Sequence, residues 1–177
     1  MRWDLRKYGA PFDQESYVTV DGTDFRIFEP EHFSPDWYSH KYKGPGLRYE
    51  IAISIATGYI VSVHGPFPCG LWTDRKIFNA ALRGELDEGE LAIGDGGYKG
   101  VGCRTPTGYN TLLDRMCSVA RARHETVNHR FKEWSCLNNV YRHDRREHYQ
   151  FFAPIALLVQ LGIEQEGMVF QFAYHEF

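Results

Sequence analysis

Two aspartates in this sequence stand where carboxylates can do chemistry. Asp21 lies in the alternating segment Tyr17–Phe28, which predicts a strand with a kink or bulge at Gly22. Asp95 ends a short apolar strand predicted within Glu90–Tyr98. We expect both side chains to project at strand ends, the edge where open α/β sheets bind ligands. Carboxylates that converge there form an oxygen site suited to Mg²⁺ or Mn²⁺.

The same two aspartates also have a purely structural interpretation. An aspartate beside a glycine commonly starts a turn, and both Asp21 and Asp95 have such a neighbour. The glycines around Asp95 would equally let backbone or substrate approach closely. Spacing alone favours the turn, so the residues by themselves leave both interpretations open.

Composition predicts one globular domain over residues 1–177. The chain is 43% hydrophobic and 15% aromatic, which is enough apolar material for a sizeable core. It has no uninterrupted apolar run of about 18 residues and no signal-peptide-like start, so we expect a soluble intracellular protein without membrane contact. The four scattered cysteines predict free thiols, and the spacing of two histidine pairs, His124/His129 and His143/His148, makes zinc binding a weak expectation.

Charge is unevenly distributed along the chain. The net charge of -3 argues against a surface wholly devoted to nucleic acid. Residues 115–148 nevertheless hold eight Lys/Arg against four acids. This stretch could follow a phosphate backbone, although a solvated helix with internal ion pairs fits the pattern equally well.

The order of predicted elements indicates an α/β fold. After the first strand, segments 47–56 and 59–67 predict a hairpin, and Thr73 or Asp74 can cap a short helix. A strand is possible near 101–105, helices are predicted from about Asn110 and over 149–161, and the final VFQF segment is strand-like. We therefore expect an antiparallel meander leading into parallel crossover units, with helices flanking a mixed sheet. One apolar stripe of the long helix would comprise Met116, Val119, Ala120, Val127, Phe131 and Trp134.

The ordered motifs VDGTDFRI, GLWTDRKIF, AIGDGGY, RTP and RARHETVNHRFKEW resemble one family. They are similar to the PIF/Harbinger-type DDE transposases and the Harbinger transposase-derived nucleases, and the similarity runs from about Tyr17 to Gly162. In that family the first acid lies in a D-G/C-T step, the second in a glycine-flanked step, and the third on a helix. By resemblance these acids are Asp21, Asp95 and Glu125.

The resemblance implies an RNase H-like fold and metal-assisted cleavage of DNA. Two divalent ions, Mg²⁺ or Mn²⁺, would be held by the three acids, which are then both catalytic and metal-binding. Asp74 matches a further family aspartate, and we expect it to cap its helix or to support the metal ligands. DNA recognition would come from a Myb-like or other DNA-binding partner supplied in trans, and the location would be nuclear. The phosphate path would lie near Arg121, Arg123, Arg130 and Lys132.

Several features keep other functions open. Only 29 residues separate Asp95 from Glu125, and Thr126 stands where the family has arginine. On an ideal helix Glu125 lies on the polar face, where it could simply pair with Arg121. A catalytically inactive, transposon-derived relic or interaction module would keep the fold without cleaving DNA. A small-molecule enzyme using His64 or the histidine pairs is a third possibility, although no G-x-S-x-G motif occurs.

Overall fold

The structure, a computed structural model, describes residues 1–11, 14–32 and 34–167, without the side chains of Leu113 and Met116. Its strands are β1 (Val18–Arg26), β2 (Tyr38–Ser39), β3 (Gly44–Ser54), β4 (Ile60–Pro68), β5 (Ala92–Ile93) and β6 (Cys103–Arg104). Its α-helices are α1 (Asp74–Ala80), α2 (Leu112–Lys132), α3 (Ser135–Asn138) and α4 (His148–Glu166). Short 3₁₀ helices cover Trp3–Lys7, Pro35–Trp37, Leu82–Gly84, Gly96–Tyr98 and Arg145–Glu147.

The strands form one mixed sheet in the order β2-β3-β1-β5-β6, with β4 also paired to β3. Strand β3 is antiparallel to β1 and to β4, whereas β5 is parallel to both β1 and β6. This arrangement confirms the expected α/β class, the hairpin and the parallel strands that follow. The strand-like VFQF segment lies outside the described residues.

Local sequence signals explain where several elements begin. Gly58 adopts a left-handed φ of 75° in the turn between β3 and β4, a conformation that glycine adopts without steric cost. The Thr73 side chain accepts a hydrogen bond from the Lys76 backbone and caps α1. Thr111 and Asp114 form a capping box at the start of α2.

The two faces of strand β1 pack against different helices. Thr19 Oγ1 lies 2.8 Å from His124 Nε2 on α2, and the Phe25 ring packs against Phe131 on the same helix. Val20 points to the other face, into a cluster with Phe78 of α1. Pairing of β1 with β3 runs unshifted from one end to the other, so the predicted bulge at Gly22 is wrong.

The larger core cluster joins the sheet to α2 and α4. It is built around aromatic rings. The rings of Tyr49 and Phe152 stack with 4.0 Å between their centroids, and the Phe131 ring packs against Phe152 with 5.1 Å between centroids. The predicted α2 stripe was partly wrong, because Val119 and Trp134 are each 40% exposed. His124 and Cys117 are buried on that helix instead.

None of the helices in the described part of the chain is long and apolar enough to cross a membrane.

The aromatic cluster generates a stability prediction. Replacing Phe152 with alanine should lower the free energy of unfolding by about 3–5 kcal/mol, because the ring is fully buried and its loss leaves a cavity. Leu158→Ala, at an exposed position of the same helix, should change it by less than about 1 kcal/mol. Urea denaturation of both variants measures the difference, and equal effects would contradict the packing described.

Candidate functional site

Asp21 lies in β1, and Asp95 lies just after the end of the neighbouring parallel strand β5. Strands β1 and β5 pair at Thr19 and Ile93, and each aspartate lies two residues beyond its paired residue. Neighbouring strands are about 4.7–4.9 Å apart, so the two backbones are adjacent at this level. Strand β1 continues to Arg26, which places Asp21 inside the strand and not at its end as expected. The site therefore forms where β5 stops beside a longer β1.

The two carboxylates affect each other electrostatically. Burial, together with the negative charges of Asp95 and Asp74, raises the pKa of Asp21 to about 6, although the Gly22 backbone N–H and Arg121 act in the opposite direction. The Asp21 side chain accepts hydrogen bonds from the Gly22 N–H at 2.9 Å and from Asn128 at 3.5 Å. These partners do not offset the crowding of negative charge.

Asp74 brings a third carboxylate to this region from the opposite face of the sheet. A Cβ on Gly22 would overlap Asp74 Oδ1, so the absent side chain lets the N-terminus of α1 approach β1. A Cβ on Gly97 would stand 3.0 Å from Asp95 Oδ1 and 3.1 Å from Asp74 Oδ2. The carboxylates of Asp74 and Asp95 therefore face each other across a glycine.

Arginine side chains hold the acids from two directions. Arg48 on β3 binds Asp24 at 2.7 Å and Asp74 at 3.0 Å, which fixes Asp74 at the start of α1. Arg121 on α2 lies 4.0 Å from Asp95 Oδ2 and remains 30% exposed. Asp95 itself is 43% exposed, and its other oxygen accepts a hydrogen bond from the Gly97 N–H. The site is thus buried at Asp21 and open to solvent at Asp95.

Glu125 does not join the aspartates in this structure. It is exposed on α2, one turn after Arg121. The described part of the chain contains no group of three His, Cys, Asp or Glu side chains arranged to hold a metal ion. Two carboxylates, Asp21 and Asp95, fit a divalent cation by their oxygen chemistry, proximity and mutual repulsion.

The four basic residues expected along a phosphate path separate into different environments. Arg121 lies beside Asp95, and the Lys132 ammonium lies 6.0 Å from the ring of Tyr42. Arg123 is only 2% exposed and donates to the backbone carbonyls of β3 and the following residue, so it is not available at the surface. Arg130 faces α4, where it pairs with Glu166 at 3.4 Å.

Glu50, a further acid, lies on the α1 face of the sheet, the same face as Asp74. Glu50 is fully buried, and the nearby Tyr98 hydroxyl favours its charged form. Burial, together with the charges of Asp74 and Glu85, raises the pKa of Glu50 to about 8. Glu50 is therefore mostly protonated at neutral pH.

The histidines among residues 1–167 that the structure describes do not assemble a nucleophilic triad. Ser62 Oγ and Glu85 Oε1 both approach the same ring nitrogen of His64, Nε2, at 2.9 and 3.6 Å. A base that activates a serine needs its carboxylate at the other nitrogen, which this arrangement does not provide. Each predicted histidine pair has one buried member, His124 or His148, and one exposed member.

The chain was compared with protein-family models, curated proteins and solved structures. No protein-family model, no curated protein and no solved structure matches it. The chemical interpretation of the site therefore rests on its geometry and on the sequence motifs.

Sequence reasoning did not identify Arg48 or Asn128. Arg48 could have been found from cross-strand pairing, because it lies directly opposite Asp24 in the β1–β3 register. Asn128 lies two turns after Arg121, so both side chains fall on nearly the same side of α2. That signal becomes visible only when the orientation of α2 against β1 is known.

The crowding of acids generates a pH-dependent prediction for Asp21. Its pKa in the folded protein, about 6, exceeds its ordinary value of 3.8, so ionisation at neutral pH opposes folding. Asp21→Asn should therefore raise the free energy of unfolding by about 2 kcal/mol above pH 6, and this gain should disappear below about pH 4. Urea denaturation at pH 7.5 and pH 4 measures both values. A gain that is equal at the two pH values would contradict the electrostatic explanation.

Proposed function

We propose that this protein is a metal-dependent DNA endonuclease, the catalytic core of a DDE-type transposase. The observation that carries the proposal is the convergence of Asp21 and Asp95 on adjacent parallel strands, with the pKa of Asp21 raised by burial and by its acidic neighbours. Acids held together against their repulsion are typical of functional sites. The proposal combines this geometry with the family resemblance of the motifs that contain both residues.

The sheet order supports the finer fold proposed, an RNase H-like fold. An antiparallel meander of β1, β3 and β4 is followed by α1 and by two strands parallel to β1, with helices on both faces. This is the arrangement that the resemblance implies. The acids then lie on the central strand and on its parallel neighbour.

In this proposal Asp21 and Asp95 hold a divalent cation at the open end of β5. When bound, two such ions would supply an activated water or 3′-hydroxyl and would stabilise the leaving oxygen of a phosphodiester. Arg121, beside Asp95 and partly exposed, would pair with the substrate phosphate. Asp74 adds negative charge that favours cation binding and is held in place by Arg48.

Glu125 is the proposed third acid. Residues 121, 125 and 128 occupy one side of an α-helix, within about 60° of one another. Glu125 therefore lies on the same side of α2 as Arg121 and Asn128, the two residues that contact the aspartates, and it is exposed. Its exposed side chain has room to turn toward a bound cation. Recognition of DNA sequence by a Myb-like or other DNA-binding partner, and a nuclear location, belong to the same proposal.

The second candidate function is a catalytically inactive interaction module with the same fold. The absence of a three-acid cluster among the described side chains favours it. The two candidates differ in one measurable property, because an endonuclease must bind divalent cations at Asp21 and Asp95.

The endonuclease proposal predicts the effect of Asp95→Asn. The substitution removes a charged oxygen ligand while keeping side-chain size, so Mn²⁺-dependent nicking of supercoiled DNA should fall at least about 100-fold. Asp4→Asn makes the same chemical change at an exposed position that forms an ion pair with Arg2, and it should nick DNA as the unaltered protein does. Nicking that persists in Asp95→Asn would exclude this site as its source.

Cation binding can be measured without any reaction. Saturating Mn²⁺ should raise the melting temperature by about 5 °C or more, since a ligand at about 100 times its Kd stabilises the folded state by about 2.7 kcal/mol. The double variant Asp21→Asn/Asp95→Asn should show no such shift, whereas Asp4→Asn should retain it. An unaltered protein that fails to respond to Mn²⁺ or Mg²⁺ would support the inactive module.

A further inference from the structure

A basic–aromatic surface lies at the end of β1, away from the acids. It comprises Arg26, Phe28, Trp37, Tyr42, Lys132, Arg142 and Arg145. The Arg142 guanidinium lies 5.6 Å from the centre of the Phe28 ring, and that of Arg145 lies 4.4 Å from the Trp37 ring. Tyr42 lies 4.7 Å from Arg26 and 6.0 Å from Lys132. Each cation is thus held against the face of an aromatic ring.

Backbone pairing fixes this surface to the sheet. Tyr141 N donates to Arg26 O at 2.9 Å, and Phe28 N donates to Tyr141 O at 2.7 Å, so the segment around Tyr141 runs parallel to the end of β1. A cleft of about 410 Å³ opens between them, lined by Phe28 and Glu29 on one side and by 141–146 on the other. Arg142 and Arg145 therefore have a defined position.

The charge of the basic–aromatic surface is largely uncompensated. Arg26, Lys132, Arg142 and Arg145 form no ion pair with any described residue, whereas Arg146 is neutralised by Asp144 at 2.6 Å. Glu29 adds one negative charge in the cleft. The Phe28 ring is 60% exposed, although a ring of this size is ordinarily buried. Free cations beside one exposed ring, Phe28, and two half-buried rings, Trp37 and Tyr42, match a ligand that carries both negative charges and flat apolar faces.

Helix α2 connects the basic–aromatic surface to the acids. Helix α2 runs alongside β1, since Asn128 contacts Asp21 and Phe131 contacts Phe25. Lys132 lies one turn beyond Asn128 and reaches Tyr42. Arg26 and Phe28 lie five and seven residues after Asp21, about 17–23 Å along an extended strand, but these odd separations direct their side chains to the other side of the strand, so Lys132 is the cation on the Asp21 side. A nucleic-acid strand with its bases stacked as in a duplex advances about 3.4 Å per nucleotide along its axis, so five to seven nucleotides would cover that distance, and a more extended strand would need fewer.

We propose that the basic–aromatic surface binds a single-stranded segment of nucleic acid and leads it to the acidic site. This inference rests on the proposed endonuclease function for what lies at the end of the path. The cations pair with phosphates, and unpaired bases stack on Phe28 and on the guanidinium planes of Arg142 and Arg145. A duplex is the poorer ligand, because its bases hide their faces in their own stack.

Binding of a fluorescent oligothymidylate of about 20 nucleotides, followed by anisotropy in EDTA, tests the proposal without cleavage. Phe28→Ala should weaken binding about tenfold, within the range of one stacked base. Arg142→Ala/Arg145→Ala should weaken it at least tenfold and reduce the slope of log affinity against log salt by about 1.4, or 0.7 for each lost phosphate contact. Arg83→Ala removes one charge from an exposed position outside the surface and should bind within about twofold of the unaltered protein.

Two comparison ligands separate stacking from charge. An abasic oligonucleotide of the same length keeps the phosphates and should bind at least about fivefold more weakly than oligothymidylate. Polyglutamate should not compete. Equal binding of either ligand, or preferred binding of a duplex, would overturn the proposal and indicate an acidic or double-stranded partner. Phe28→Leu keeps an apolar side chain but removes the aromatic ring. It should lose affinity while its melting temperature stays unchanged, which separates a loss of stacking from a loss of folding.

The outcomes also distinguish this proposal from the endonuclease. Asp95→Asn should bind oligothymidylate at least as tightly as the unaltered protein, because it removes a negative charge. Binding that depends on Phe28 and the two arginines, without nicking by any variant, supports the surface and refutes the endonuclease. Nicking that depends on Asp95, with oligothymidylate binding unaffected by the surface variants, refutes the surface alone.

Discussion

A single parallel pairing, Thr19 with Ile93, determines which side chains meet at the acidic site. Because side chains alternate along a strand, a shift of one residue between β1 and β5 would send Asp95 to the opposite face from Asp21. The antiparallel register with β3 is equally demanding. It places Arg48 opposite Asp24 and Glu50 opposite Gly22, which sets the positive and negative charges on the α1 face. The strand registers therefore determine which charged side chains meet at the site.

The structure tolerates this concentration of negative charge through partial compensation. Arg48 binds two of the acids and Arg121 approaches a third, yet burial still raises the pKa of both Asp21 and Glu50. Packing elsewhere must offset the free energy that these carboxyls cost the fold. The aromatic cluster between the sheet, α2 and α4 is the main source of such stability. Cation binding at the acids would relieve part of the same repulsion.

The sequence predicts much of this fold because its signals are local. Alternation of apolar residues identifies β1, β3 and β4, and Thr73 and Thr111 mark the starts of two helices. The proximity of Asp21 and Asp95 was also predicted, since both follow or interrupt apolar strands. The orientation of α2 could not be predicted, because it depends on contacts such as His124 with Thr19. For that reason Asn128 was missed, while Arg123 was expected at the surface and lies buried.

Helix α2 connects the acidic site to the basic–aromatic surface as one uninterrupted element of 21 residues. Its geometry limits how such a chain can diverge. Each residue inserted between Arg121 and Lys132 would turn one end of the helix by about 100° relative to the other and lengthen it by about 1.5 Å. Lys132 would then leave Tyr42, or Arg121 would leave Asp95. Length changes should accumulate in the loops on either side of α2, and the helix itself should keep a constant number of residues.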